Sequence, residues 1–553
     1  MKRCPQCRRD YFDETLLYCL DDGERLLEGP ASDEAVTAIH TGSAGEAITA
    51  AQYDSLAAKE NLQPASKIKY LIVAATGILL VAALGVGYFY NGRGDRKAID
   101  SIAVMPFANE SGNVEIDYLS DGIPESLITS LSKIPNLTVK PRSSVFRYKG
   151  KIPEPATLGK ELNVQSILTG TVVQRGSELS LNIELVDAAT ERVLWSEVYQ
   201  RPLSNLLALQ TEIARKVSSE LKAKLSGAEE SQLAKNSTNN PEAYQLYLKG
   251  RSHFGKRTKD DLHKAIDHYR RAVAIDPDYA LAYSGLADVY LILGGYDKSR
   301  TRLEFTAEGR SYAQRALALD DGLSQAHNSN GVFLQAIDHD FAGAEVAFRR
   351  AIALDPNNAT AFSNLGGLMT CLGRMDEAEA SYRRALEIEP ASAIINRSWG
   401  GFLATARRYE ESVEQLKKTV DLEPNFILGH LTLANTYMQQ RNYSEAVNSY
   451  IESRRLIGYD SAILSKMRGS FERGGWPEFI ASMDNGVWPE LYRTSYIKAT
   501  QFASIGEKEK ALAQLEKAYN ERDGFIPLIN VDPRLDALRD DSRFQELVKK
   551  VGF

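Results

Sequence analysis

The sequence predicts a multidomain chain: an α-solenoid of stacked helical hairpins, preceded by a small α+β domain, one transmembrane helix and a short cysteine-bearing motif. Three observations carry this. Pro356, Pro390 and Pro424 recur at intervals of 34 residues, closing the segments Ala351-Ile-Ala-Leu-Asp-Pro, Ala385-Leu-Glu-Ile-Glu-Pro and Thr419-Val-Asp-Leu-Glu-Pro. A fixed period of this length marks a repeat architecture, in which each unit buries its apolar face only by stacking on the next. Second, the run 70–90 is apolar and carries no charge. Third, Cys4, Cys7 and Cys19 crowd the first twenty residues, leaving Cys371 as the fourth cysteine of the chain.

At 553 residues the chain exceeds one core, so three or four units are expected. A hydrophobic share of 43% and a charged share of 25% are those of folded protein. The net charge of −7 gives no basic face for nucleic acid, which is not expected as a partner. Four cysteines over this length are no disulfide scaffold.

The motif 1–27 contains Cys4-Pro-Gln-Cys7, a knuckle whose two thiolates reach one tetrahedral ion, and then Cys19-Leu-Asp-Asp22-Gly23, where aspartate stands in the last ligand position. A carboxylate oxygen ligates zinc, so Cys4, Cys7, Cys19 and Asp22 form a candidate structural zinc site. The alternative is a degenerate motif that binds no metal. Over residues 3–27 the pattern resembles the short zinc ribbons that open many bacterial membrane proteins, with Asp22 as the departure. Residues 28–66, rich in Ala, Ser, Thr, Gly and Glu without apolar period, read as a flexible linker.

The run 70–90 has the length that spans a hydrocarbon core and is flanked by Lys67, Lys69, Arg93, Arg96 and Lys97, making the lipid bilayer an expected partner. Basic residues near its two ends balance, so charge alone leaves the orientation open. A thiol cluster needs a reducing compartment, which sets the amino terminus in the cytoplasm. The expected localisation is therefore the inner membrane of a bacterium, single-pass, with the carboxyl-terminal domains periplasmic or otherwise extracytoplasmic.

Residues 100–225 predict a compact α+β layer with helices on one face of a mixed sheet. Ser101-Ile-Ala-Val-Met-Pro-Phe107 reads as a buried strand, 118–134 as an amphipathic helix, Ser166 to Val173 and Leu179 to Leu185 as strands, Val193 to Tyr199 as a third, and 203–225 as a closing helix. The Ile102-Ala-Val-Met-Pro-Phe start, the Asp117-Tyr-Leu-Ser-Asp-Gly-Ile-Pro-Glu helix entry and the Ile167-Leu-Thr-Gly-Thr-Val strand resemble TolB-like amino-terminal domains. That resemblance implies an interaction module without catalytic residues.

The solenoid is placed at 241–522, with six to eight hairpins. In its clearest unit Gly366 and Ala378 let two helices approach, Tyr382 fills the gap, Ala385 lies on the same second helix and Pro390 ends it. Neighbouring units repeat this with Ala344, Phe348, Ala351 and Pro356, and with Gly400 and Pro424. Residue by residue this is similar to the tetratricopeptide repeat. That resemblance implies a concave groove lined by the first helix of each pair, taking a protein or peptide, with Asn328 and Asn364 as candidate partner-binding positions. Solvated polar positions are the equal alternative for those two. Residues 523–553 resemble the capping segment common in such bacterial proteins.

No phosphate-cradling loop, His-Glu-x-x-His or Gly-x-Ser-x-Gly motif occurs in the sequence. His339 between Asp338 and Asp340 reads as a solvated inter-helix turn, and His263 with Asp267 as a surface helical pair. The expected function is a non-catalytic interaction scaffold with no cofactor beyond zinc at the opening motif. The alternative is a transmembrane signalling or regulatory protein whose ribbon engages a regulator or nucleic acid.

Overall fold

The structure, a computed structural model, describes residues 99–134, 136–221, 238–297, 299–488 and 493–553, together with three two-residue strands near the amino terminus. Those strands are β1 (Lys2–Arg3), β2 (Asp10–Tyr11) and β3 (Leu27–Glu28). They pair antiparallel in the order β2-β1-β3. Cys4, Cys7, Cys19 and Asp22, the 28–66 linker and the 70–90 run lie outside the described residues. The inner-membrane placement expected from that run is corrected: among the described residues no helix is long and apolar enough to cross a membrane.

From residue 99 the chain builds a mixed sheet in the order β6-β4-β7-β8-β9, with β4 at Ser101–Val104, β6 at Thr138–Val139, β7 at Ser166–Arg175, β8 at Glu178–Asp187 and β9 at Val193–Pro202. The short β5 (Ala108–Asn109) runs beside β7. Strand β4 pairs parallel with β6 and β7, and β7-β8-β9 form an antiparallel meander. Alternation decides the faces: Leu179, Leu181, Ile183 and Leu185 of β8 are buried, while Ser180, Asn182 and Glu184 between them are half-buried. The buried face shares one core with helices Asp117–Leu131 and Leu206–Glu220.

Pro124 sits inside the Asp117–Leu131 helix rather than at its entry. Proline has no N–H to give the carbonyl four residues back. That carbonyl, Ser120 O, instead accepts from Phe107 N at 3.1 Å, so the proline's defect ties the helix to the segment between β4 and β5.

Among the described residues, eight hairpins follow between 241 and 520. Their first helices are Pro241–Lys256, Ala280–Tyr296, Ser324–Phe333, Ala359–Cys371, Ala393–Thr405, Ile427–Gln439, the first part of Ser461–Asp484, and Ser495–Ser504. The seventh hairpin is one continuous element broken at Gly474–Gly475, where Gly475 takes φ +65°, a conformation that favours glycine. In the second hairpin, helices Ala280–Tyr296 and Arg302–Leu319 are 17 and 18 residues long, against 13 and 14 in the unit at 359–388. Longer helices thus account for the stretched period there.

The prolines work as the period implies. Pro356, Pro390 and Pro424 open exposed turns, and the residue before each ends its helix through one bond: Asp355 N to Ala351 O, Glu389 N to Ala385 O, Glu423 N to Thr419 O. Within the hairpins Ala344, Phe348, Ala351, Ala378 and Ala385 are fully buried and Tyr382 nearly so. A Cβ at Gly366 would lie 2.9 Å from the Tyr382 ring, and one at Gly400 would lie 2.7 Å from Leu416. The glycines therefore set how closely the paired helices approach.

A charge network that the proline pattern did not reveal joins successive hairpins. Arg374 bridges Glu345 and Glu377 at 2.7 Å each, and Arg408 bridges Glu379 at 3.1 Å and Glu411 at 2.6 Å. The three members recur 34 residues apart, a signal present in the sequence. Solvent screens exposed pairs of this kind, so they set register more than stability.

Candidate functional site: the inner row of helices

First helices of the first six hairpins pack each on the next, whereas second helices make no comparable contacts with each other. The first helices thus form the inner, crowded row, and the second helices fan outward. Asn328 and Asn364 lie on adjacent inner helices, both half-buried, and Asn364 Nδ2 donates to Asn328 Oδ1 at 2.9 Å. One hairpin earlier, Ser329 Oγ donates to Asp288 at 2.5 Å. Burial pushes the Asp288 carboxyl up, against the lowering effects of Ser329, Arg251 and Arg257.

The α+β domain closes the amino-terminal end of this row. Leu248 packs on Gly122, Tyr244 Oη shares a 2.8 Å hydrogen bond with Ser126 Oγ, and a single core runs from the sheet into Ala243, Tyr244, Leu246 and Leu248. Glu125 accepts from Arg251 Nε at 2.8 Å and pairs with Arg142 Nε at 3.2 Å. Burial alone would raise the Glu125 pKa, but the two guanidinium groups outweigh it and hold the carboxyl below its usual value. Farther along, Ser143 Oγ donates to Glu389 Oε2 at 2.5 Å, so the domain also touches the turn leading into inner helix Ala393–Thr405.

The carboxyl-terminal segment closes the other side. It packs on the last hairpin and also returns to the middle ones: Phe553 stacks on Phe341 with centroids 4.9 Å apart, Val531 lies against Gly373, and Asp536 pairs with Arg407 at 2.6 Å. These partners cluster at the turns after three inner helices. The segment therefore braces the solenoid's middle as well as covering its end.

This revises the reading of His339. It is half-buried, stacked near Phe341 and Tyr519, and its Nδ1 accepts from Arg522 at 3.1 Å. Burial, then the neighbouring Arg522 charge, lowers its pKa to about 4. His263 likewise pairs with Asp297 at 2.7 Å, not with Asp267. Among the described residues no group of three His, Cys, Asp or Glu side chains is arranged to hold a metal ion. Because the folded pKa of His339 lies below the usual 6.5, the unfolded chain takes up the proton first as pH falls. Stability contributed by this junction is present above pH 6.5 and is lost progressively towards pH 4. Melting curves of His339→Gln should therefore fall less steeply than wild type across that window.

This architecture defines a class: an α+β domain built onto a tetratricopeptide-type solenoid. Residues 97–216 match the family described as HilA/YgeH-like transcriptional regulator, second domain. The expected TolB-like resemblance fell on this same stretch. Residues 257–294 match a TPR repeat family and 336–396 a tetratricopeptide repeat family. The chain thus carries tetratricopeptide repeats and a HilA-like domain. It is 33% identical over 227 residues to putative adenylate cyclase 3 of Rhizobium meliloti (strain 1021), covering 41% of this chain and 39% of that protein. The chain thus spans about two-fifths of that relative's length. Solved structures that resemble it include a tetratricopeptide repeat protein from Parabacteroides merdae (15% identity, 56% of this chain and 98% of that one, TM-score 0.31). Pseudomonas aeruginosa pilF is another (17% identity, 46% and 96%, TM-score 0.27). At these scores the overlaps are partial, and the repeat assignment rests on the family matches and the hairpins themselves.

Proposed function

We propose that the protein is a non-catalytic interaction scaffold that holds a peptide or protein partner along its inner row of helices. The carrying observation is the line of polar side chains there, the half-buried Asp288, Asn328 and Asn364 with the buried Ser329, bounded by the α+β domain and by the carboxyl-terminal segment. Polar groups in such a row select a partner by offering hydrogen bonds that water otherwise takes. Quantitative affinity purification from the source cell tests this with three forms of the full chain. Partners held by wild type and by the outer-face variant Val346→Arg should be lost from an Asn328→Arg/Asn364→Arg variant. Equal retention by all three would refute it.

The HilA-like match and the cyclase-named relative favour a regulatory setting, in which the α+β domain senses or transmits occupancy of the row it closes. The opening motif is proposed to bind structural zinc through Cys4, Cys7, Cys19 and Asp22. Strands β1 and β2 flank the interval that contains Cys4 and Cys7, a placement that suits a metal-binding knuckle. Wild-type protein should then carry about one zinc that Cys7→Ser lacks, while equal metal content in both would end the idea.

A further inference from the structure

Strand β9, Val193–Pro202, ends the sheet: β8 lies on one side of it and, among the described residues, no strand lies on the other. The opposite edge strand, β6, is two residues long. Just past the last β8–β9 pair, Leu203 N donates to Ser177 O at 2.8 Å. Antiparallel ladders bond every second residue, so Tyr199 and Arg201 bond to β8 while the N–H and C=O groups of Ser196, Val198 and Gln200 point away from the sheet. Among the described residues, that outward backbone has one partner, Arg201 Nη1, which donates to Gln200 O at 3.1 Å. The side chains of Ser196, Val198 and Gln200 are exposed, Val198 by 60%. A row of open N–H and C=O groups is a template for another strand. The register shift opposite Leu185 and Val186 limits it at one end and Pro202, which has no N–H, at the other, so the open stretch runs from Ser196 to Gln200.

The charges on this strand select its occupant. Glu197 and Arg201 are half-buried on the face that packs on helix Leu206–Glu220, where Arg201 lies 3.7 Å from Glu212. Trp195 Nε1 and Tyr199 Oη each donate to Glu197 Oε2 at 3.2 Å, which holds the carboxylate on that face. A second copy of β9 laid antiparallel about Tyr199 sets Glu197 of each copy directly opposite Arg201 of the other, two opposite-charge pairs from one contact. In the same register Val198 of each copy exchanges N–H···O=C bonds with Gln200 of the other. Moving the centre to Glu197 sets carboxylate on carboxylate, and moving it to Val198 sets both charges against the uncharged Tyr199 and Trp195. A parallel copy in register stacks like charge on like. The antiparallel pairing is isologous, so it closes at two copies.

We infer that β9 pairs antiparallel with β9 of a second copy of this chain, joining two sheets into one across a two-fold axis at Tyr199. This pairing uses no residue of the inner row of helices. Light scattering on the purified full-length chain measures it. Wild type should show twice the single-chain mass at about 100 μM, where a Kd of about 10 μM already leaves most chains paired. Arg201→Glu and Glu197→Arg should each show the single-chain mass, because each sets like charges opposite. Mixed in equal amounts they should regain the doubled mass, because both pairs are then opposite in sign. Milder variants read the register. A Val198→Cys chain mixed with a Gln200→Cys chain should oxidise to a link between positions 198 and 200, since opposed Cα atoms about 5.5 Å apart suit a disulfide. Val198→Cys alone should link at most one-tenth as well, because its two thiols sit on Cα atoms about 9 Å apart. A wild type of single-chain mass would overturn the inference, as would a charge-reversed mixture that stays single or Val198→Cys alone linking as well as the mixture. A link from position 198 to Cys4, Cys7 or Cys19 of the same chain would assign the edge to this chain's opening segment and overturn it too.

Discussion

Glu125→Ala destabilises the chain by about 3 kcal/mol, near the low end of the range for breaking a buried ion pair. The effect arises because one carboxylate holds two cations, Arg251 of the first hairpin and Arg142 of the α+β domain, at a joint where Glu125 is 14% exposed. Removing it leaves two guanidinium groups partly desolvated and facing each other. Partial exposure of Arg251, at 25%, keeps the cost from the upper end of that range. The double variant Glu125→Met/Arg251→Met should recover at least half of the loss, since a matched apolar pair leaves only Arg142 to find solvent. Chemical denaturation of the two variants and wild type measures both numbers. A loss below about 0.5 kcal/mol for Glu125→Ala would mean that the domain and the solenoid do not depend on this joint.

Phe348→Ala should cost about 3–5 kcal/mol, because the ring is fully buried in the third hairpin. Its partner gives a sharper test. A Cβ at Gly331 would stand 2.6 Å from the Phe348 ring, so Gly331→Ala overpacks the wild-type hairpin by about 1–3 kcal/mol. With the ring gone, the same substitution fills part of the cavity and gains helix propensity of up to about 1 kcal/mol. Gly331→Ala is therefore destabilising in wild type and stabilising in the Phe348→Ala background. The same sign in both backgrounds would show that the helix approach is not set by this contact.

What was legible in the sequence followed from local periodicity. A hairpin that buries one small residue against one large residue must repeat both at the repeat length, so Gly366 with Tyr382, Gly331 with Phe348, and the closing prolines announced the fold. The α+β strands were legible for the same reason, since Leu179, Leu181, Ile183 and Leu185 alternate with polar residues. The charge network through Arg374 and Arg408 was legible in principle, because its members recur at the repeat length.

The rest depends on contacts between distant, unremarkable residues. Arg407 meets Asp536 across 129 positions, and Arg522 meets His339 across 183. Neither pair belongs to a motif, so His339 read as an ordinary turn when it joins the end of the eighth hairpin to the third.

The central claim is that the inner row of helices is the binding face. Its most direct test places a photo-crosslinking amino acid at Asn364 on the inner row, and separately at Val346, which is 71% exposed on an outer helix. With the partner recovered by affinity purification bound to the full-length chain, irradiation should join partner to protein at position 364 and leave position 346 unmodified. Crosslinks of equal yield at both positions, or at 346 alone, would contradict the account.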